Sequence, residues 1–85
     1  MIACDRVILE CYARRIPPDD VTVRVMPFPH GTHGFVLVDP DGHYNVYLNS
    51  RDPYDVQVAA LMHELDHIVR GDVFSSSPIE DLEIL

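Results

Sequence analysis

The sequence predicts one small α+β domain in which a three-stranded antiparallel sheet packs on a long helix, with short helices at both ends. Three observations predict it: the length of 85 residues, three apolar segments with strand periodicity, and one longer segment bounded by helix start and stop signals. Because domains usually contain about 100–150 residues, residues 1–85 are expected to form a single domain.

The first half of the chain predicts a helix followed by three strands. Apolar residues spaced i, i+1, i+4, i+5 indicate the helix, and Pro17-Pro18 end it. Alternating or continuous apolar residues between turn sequences indicate the strands. Short turns between successive strands favour an antiparallel meander with the third strand at an edge. The helix covers residues 3–16, and the strands cover residues 21–25, 35–38 and 44–48.

The second half predicts a long buried helix over residues 53–70. Asp52 is suited to cap its free amides, Pro53 suits the first helical position, and Gly71 is a typical stop. Apolar residues cover so much of its circumference that most of the helix is expected to be buried. These residues are Val56, Ala59, Ala60, Leu61, Met62, Leu65, Ile68 and Val69.

The charge of the chain excludes several classes of partner. It has 14 acidic residues against six basic ones, all arginine, for a net charge of -8. Such a surface repels phosphates, and the scattered arginines form no basic stripe, so nucleic acids and anionic membrane surfaces are not expected as partners. Neither a signal-peptide pattern nor a membrane-length apolar run is present, and Cys4 and Cys11 read as free thiols. A cytoplasmic location is therefore expected.

The sequence His63-Glu64-Leu65-Asp66-His67 is an H-E-x-x-H motif inside the long predicted helix. Residues i and i+4 lie on one helical face, about 6 Å apart along the axis, so two imidazoles can converge on one Zn²⁺ ion. Glu64 projects beside them and is suited to accept a proton from metal-bound water. The motif therefore predicts His63 and His67 as metal ligands and Glu64 as the catalytic base.

The segment MHELDHIVRGDVF, preceded by VYLNS and followed by a serine loop and PIEDLE, resembles the ImmA/IrrE-type metallopeptidases and related minigluzincins. The resemblance covers about residues 44–85. It implies a zincin-like fold, a Zn²⁺ cofactor and hydrolysis of a peptide bond in a protein substrate, often a repressor from a mobile element. A zincin-like site usually docks its substrate as an added antiparallel strand, which we expect along the edge of residues 44–48.

The resemblance also implies a third metal ligand, a glutamate on the helix after the motif helix. A capping-box sequence at Ser77–Glu80 predicts that helix over residues 78–85. Because Glu80 has a reciprocal role in the capping box, Glu83 is the preferred ligand. Glu80 and Asp72 remain alternatives.

The sequence also contains other candidate residues and allows an alternative function. His30 and His33 flank a Gly-Thr turn and are expected to be solvated, while His43 and Tyr54 are weaker candidates for an oxyanion donor. In the main alternative function, the metal is structural and the chain is a non-catalytic protein-interaction module. Four protein ligands would indicate that role, whereas three ligands and a water would indicate a catalyst. A further alternative is that the 85 residues are active only with additional chain.

Overall fold

A computed structural model describes residues 3–71 and 74–75 of the chain. The predicted last helix and the three candidate third ligands, Asp72, Glu80 and Glu83, lie outside these residues. The helices are α1 (Cys4–Ala13) and α2 (Tyr54–Arg70), with a 3₁₀ turn at Pro18–Asp20. The strands are β1 (Val21–Met26), β2 (Gly34–Val38), β3 (Tyr44–Asn49) and the two-residue β4 (Phe74–Ser75). The predicted positions of α2 and the three longer strands are confirmed, and β4 was not predicted.

The sheet is mixed, so the predicted antiparallel meander is wrong. The strand order is β1-β3-β2-β4, with β1 parallel to β3 and β2 antiparallel to β3. The tight turn at residues 39–42 makes the β2–β3 hairpin as predicted, closed by a 2.9 Å hydrogen bond from the Asp39 amide to the His43 carbonyl. β3 lies between β1 and β2 and is not an edge strand.

The strand order differs from the predicted meander because the loop between β1 and β2 crosses the end of β3. The side chain of Asn49 holds this loop in place by hydrogen bonds. The Asn49 side chain is 2% exposed. It forms hydrogen bonds with backbone groups of the crossing loop and of the segment that follows β3. Its Nδ2 donates to the carbonyls of Phe28, Pro29 and Thr32 at 3.3, 3.4 and 2.6 Å. Its Oδ1 accepts from the amides of Phe28 and Arg51 at 3.1 and 3.0 Å.

The helices and the inner face of the sheet enclose the core. Val46 and Leu48 of β3 and Leu61 and Leu65 of α2 are 0% exposed. Val36 on β2 joins the same cluster. Burying each such side chain contributes roughly 1.5–3 kcal/mol. No helix in the described part of the chain is long and apolar enough to cross a bilayer.

α1 buries only part of the face that its sequence pattern indicates. Cys11 is fully buried and Val7 packs on the core, but Ile8 and Tyr12 are 40% and 66% exposed. Cys4 and Cys11 are both free thiols, as expected.

Arg14 ties α1 to α2 through an ion-pair network. Its Nε donates to Oδ1 of Asp66 and its Nη1 to Oε1 of Glu10, both at 2.7 Å, and Arg6 donates to Glu10 at 2.8 Å. The hydrogen bond from Arg14 lowers the pKa of Glu10 and the pKa of Asp66 below their ordinary values. Polar contacts therefore join the two helices at Asp66, within the H-E-x-x-H segment.

This network predicts a change in acid stability for Arg14→Met. A carboxyl whose pKa is lowered on folding contributes stability above its unfolded pKa, and that contribution is lost as the pH falls through the folded pKa. Wild type should therefore lose stability from about pH 5 downward, and Arg14→Met should lose less over the same range. Melting temperatures between pH 7 and 3 measure this effect. Arg24→Met, at an exposed position on β1, is the control, and equal pH slopes in wild type and Arg14→Met would contradict the prediction.

Candidate active site

α2 holds the H-E-x-x-H segment in its last two turns. Leu65 points into the core, His63 is exposed, and Glu64 is only 8% exposed. Gly71 ends the helix as predicted, in the left-handed conformation with φ of 77°. One face of α2 therefore packs on the core, and the motif lies along the border of that face.

The two motif histidines meet on this border. Their Nε2 atoms are 3.0 Å apart, and their ring centroids are separated by 4.5 Å at an interplanar angle of 88°. Two imidazole nitrogens bound tetrahedrally to one zinc ion at about 2.05 Å would be about 3.3 Å apart. The spacing of His63 and His67 thus fits two positions of a shared metal site.

The described residues do not supply the rest of such a site. No group of three or more His, Cys, Asp or Glu that could hold a metal ion occurs within residues 3–71 and 74–75. The predicted third ligand, Glu83, and its alternatives Glu80 and Asp72 fall outside that part of the chain.

Arg70 contacts the second motif histidine. Its Nη2 donates to Nδ1 of His67 at 3.3 Å, which places the ring hydrogen of a neutral His67 on Nε2, where it is donated to His63. Metal binding through Nε2 of His67 needs a lone pair at that atom. The hydrogen would then sit on Nδ1, and the contact from Arg70 would be released.

Glu64 faces an open cleft of about 450 Å³ between α2 and the start of β2. Burial raises the pKa of the Glu64 carboxyl above its ordinary value, while the charges of His63 and His67 oppose this rise. The raised pKa makes the group a stronger base than an exposed glutamate. The cleft is lined by Gly31, Thr32, His33, Gly34, Val56, Ala59, Ala60, His63 and Glu64.

Gly34 allows β2 to approach the backbone of β3 closely at the start of this cleft. A Cβ atom on Gly34 would lie 2.8 Å from the carbonyl oxygen of Tyr47 and 3.5 Å from Cβ of Ala60. The start of β2 lines the cleft beside the motif helix. The expected docking edge on residues 44–48 is wrong because β3 is paired on both sides. Within the described residues, β4 pairs only with Leu37 and Val38 of β2.

His33, expected to be a solvated turn residue, forms part of the cleft wall. Its side chain is 60% exposed, and its Nδ1 lies 2.9 Å from Oδ2 of Asp52. Asp52 does not cap α2 as predicted: the helix begins at Tyr54 after Pro53 and has no side-chain cap. The carboxylate bonds to His33 instead.

The remaining candidates lie elsewhere. Nε2 of His43 is hydrogen-bonded to Oγ1 of Thr22 at 2.7 Å, and Tyr54 is 50% exposed at the start of α2. His43, Tyr54 and His30 do not line the cleft that contains Glu64.

No protein-family model, curated protein or solved structure matches the chain.

Proposed function

We propose that the chain is a zinc-dependent peptidase of the H-E-x-x-H class, similar to the ImmA/IrrE-type enzymes and minigluzincins, that hydrolyses a peptide bond in a protein substrate. The observation that carries this proposal is the placement of the motif. Two imidazole nitrogens 3.0 Å apart lie beside a buried carboxylate at the wall of an open cleft.

In this proposal His63 and His67 hold the metal through Nε2, and Glu83 is the third protein ligand. Glu83 rests on the family resemblance alone, with Glu80 and Asp72 as alternatives. When bound, zinc would supply a Lewis acid that polarises the scissile carbonyl and acidifies water.

The chain's own residues would bind the peptide and move the proton. An extended peptide would lie in the cleft between α2 and β2, where its backbone groups can pair with the start of β2, the part that β4 leaves unpaired among the described residues. Glu64 takes the proton of the attacking water and passes it to the leaving amine. The resemblance favours a regulatory protein, such as a repressor, as the substrate. The free thiols of Cys4 and Cys11 favour a cytoplasmic site of action.

Zinc binding and hydrolysis together test the proposal. Wild type should bind one zinc ion per chain in equilibrium dialysis, and His67→Ala should weaken binding by at least about 100-fold because it removes a ligand. His30→Ala, a change to a histidine outside the cleft, should leave affinity unchanged. Glu83→Gln should weaken binding more than Glu80→Gln does. Zinc-loaded wild type should cleave members of a random peptide library, detected by mass spectrometry.

The outcomes separate the two functional classes. Failure of wild type to bind zinc would refute the proposal. Tight zinc binding without cleavage of any peptide would instead favour a structural metal in a protein-interaction module.

A further inference from the structure

The cleft beside α2 has a second polar feature, made by His33 and Asp52. His33 directly precedes β2, and Asp52 lies just before α2. The carboxylate side chain is 16% exposed whereas the imidazole side chain is 60% exposed. A largely buried acid therefore orients an accessible ring at the wall of the cleft.

The hydrogen bond fixes what the exposed side of this ring offers. A carboxylate accepts hydrogen bonds but donates none, so Nδ1 of His33 carries the ring hydrogen in this contact. Nε2 of the neutral ring then presents a lone pair. None of the six arginines lines the cleft among the described residues, whereas the acidic Glu64 does. The ring that carries this acceptor is hydrogen-bonded to the carboxylate of Asp52, and the chain has a net charge of -8. Both negative charges favour a positively charged group as the hydrogen-bond donor.

The distance along α2 places this acceptor away from the bond that would be cut. Gly34 packs against Ala60, and Ala60 precedes Glu64 by one turn, or about 6 Å. His33 precedes Gly34 by one residue and lies farther from the motif, which adds about 3.3 Å to this distance. Since an extended peptide also advances about 3.3 Å per residue, His33 faces a position about two to three residues from the peptide bond beside Glu64.

We propose that His33, oriented by Asp52, is a specificity-determining residue that accepts a hydrogen bond from a lysine or arginine of the peptide, about two to three residues from the scissile bond. The inference rests on the proposed peptidase function. Val56, Ala59 and Ala60 line the same cleft as His33, His63 and Glu64. The aliphatic stem of a basic side chain packs on such an apolar floor while its charged end reaches His33.

Selection from a displayed library of random decapeptides tests this assignment. The bait is the immobilised, zinc-loaded Glu64→Gln protein, which binds peptides without cutting them. We expect Lys and Arg to be enriched at one fixed position, and His33→Ala in the same background to reduce that enrichment about five- to tenfold. Asp52→Ala should reduce it as well, because Asp52 positions the ring. His33→Gln, which keeps a side-chain acceptor, should retain part of it.

The matched control is His30→Ala in the same Glu64→Gln background, which removes an exposed histidine of the same loop and should leave the enrichment unchanged. Circular dichroism checks that each variant is folded. Enrichment of acidic residues, unchanged enrichment in His33→Ala and His33→Gln, or no enrichment at all would overturn the assignment.

A separate measurement distinguishes this inference from the peptidase proposal. The enriched peptides are incubated with zinc-loaded wild type, and mass spectrometry locates the cut. A basic residue more than about four positions from the cut would overturn the assigned subsite, since it could not reach His33. Selection that depends on His33 with no cleavage would refute the peptidase activity and leave peptide recognition by His33 standing.

Discussion

Glu64→Gln is expected to lower the rate of peptide hydrolysis by about 10²- to 10⁴-fold while zinc binding and folding persist. The amide keeps the size of the buried side chain but cannot accept the proton of the attacking water. Because burial raises the pKa of the Glu64 carboxyl, ionising it in the folded protein carries a cost that the neutral amide avoids. The metal-free variant should therefore be at least as stable as metal-free wild type at neutral pH.

Three measurements on the same preparation give the decisive pattern: the cleavage rate of a library-derived peptide, zinc content by elemental analysis, and the melting temperature. Asp55→Asn is the matched control, since it neutralises an exposed acid in the first turn of the same helix. Full activity of Glu64→Gln with bound zinc would remove Glu64 from the mechanism. Loss of zinc together with activity would make Glu64 a ligand.

Asn49→Ala is expected to destabilise the fold by about 3 kcal/mol. The side chain is 2% exposed and bonds the carbonyls of Phe28, Pro29 and Thr32, so its removal leaves buried backbone groups without partners. A typical domain has only about 5–15 kcal/mol of stability, so a loss of this size is large.

Urea unfolding followed by circular dichroism measures the effect. Asn45→Ala, which shortens an amide side chain on the same strand β3, should cost less than about 1 kcal/mol. Equal losses in the two variants would show that Asn49 does not specifically hold the loop that crosses β3. Since this loop continues into the cleft wall at Thr32 and His33, Asn49→Ala should also weaken peptide binding.

The sequence locates most elements but not the strand order. Residue periodicity reports whether a segment is buried on one face, so β1, β2, β3 and α2 are found near their observed positions. Periodicity does not report which strands are neighbours. Here hydrogen bonds from Asn49 hold the loop that crosses β3, and these bonds to a distant loop have no signature in the local sequence of Asn49.

The candidate site also has one part that the sequence predicts and one part that it does not. The i, i+4 spacing within a helix is sufficient to bring His63 and His67 together, because the helix itself sets the geometry. His33 and Asp52 are 19 positions apart, and their pairing depends on how two loops meet. The local sequence favours Asp52 as a helix cap, but in the folded chain its carboxylate is hydrogen-bonded to His33 instead. Such a competition is settled only in the folded chain.

The parallel pairing of β1 with β3 has a consequence for the order in which the domain assembles. Val38 pairs with Tyr44 only six positions away, whereas Val21 pairs with the same tyrosine across 23 positions. Closing the longer segment costs about 1 kcal/mol more chain entropy. The hairpin of β2 and β3 can therefore nucleate early and act as a template, and β1 docks onto it late in folding.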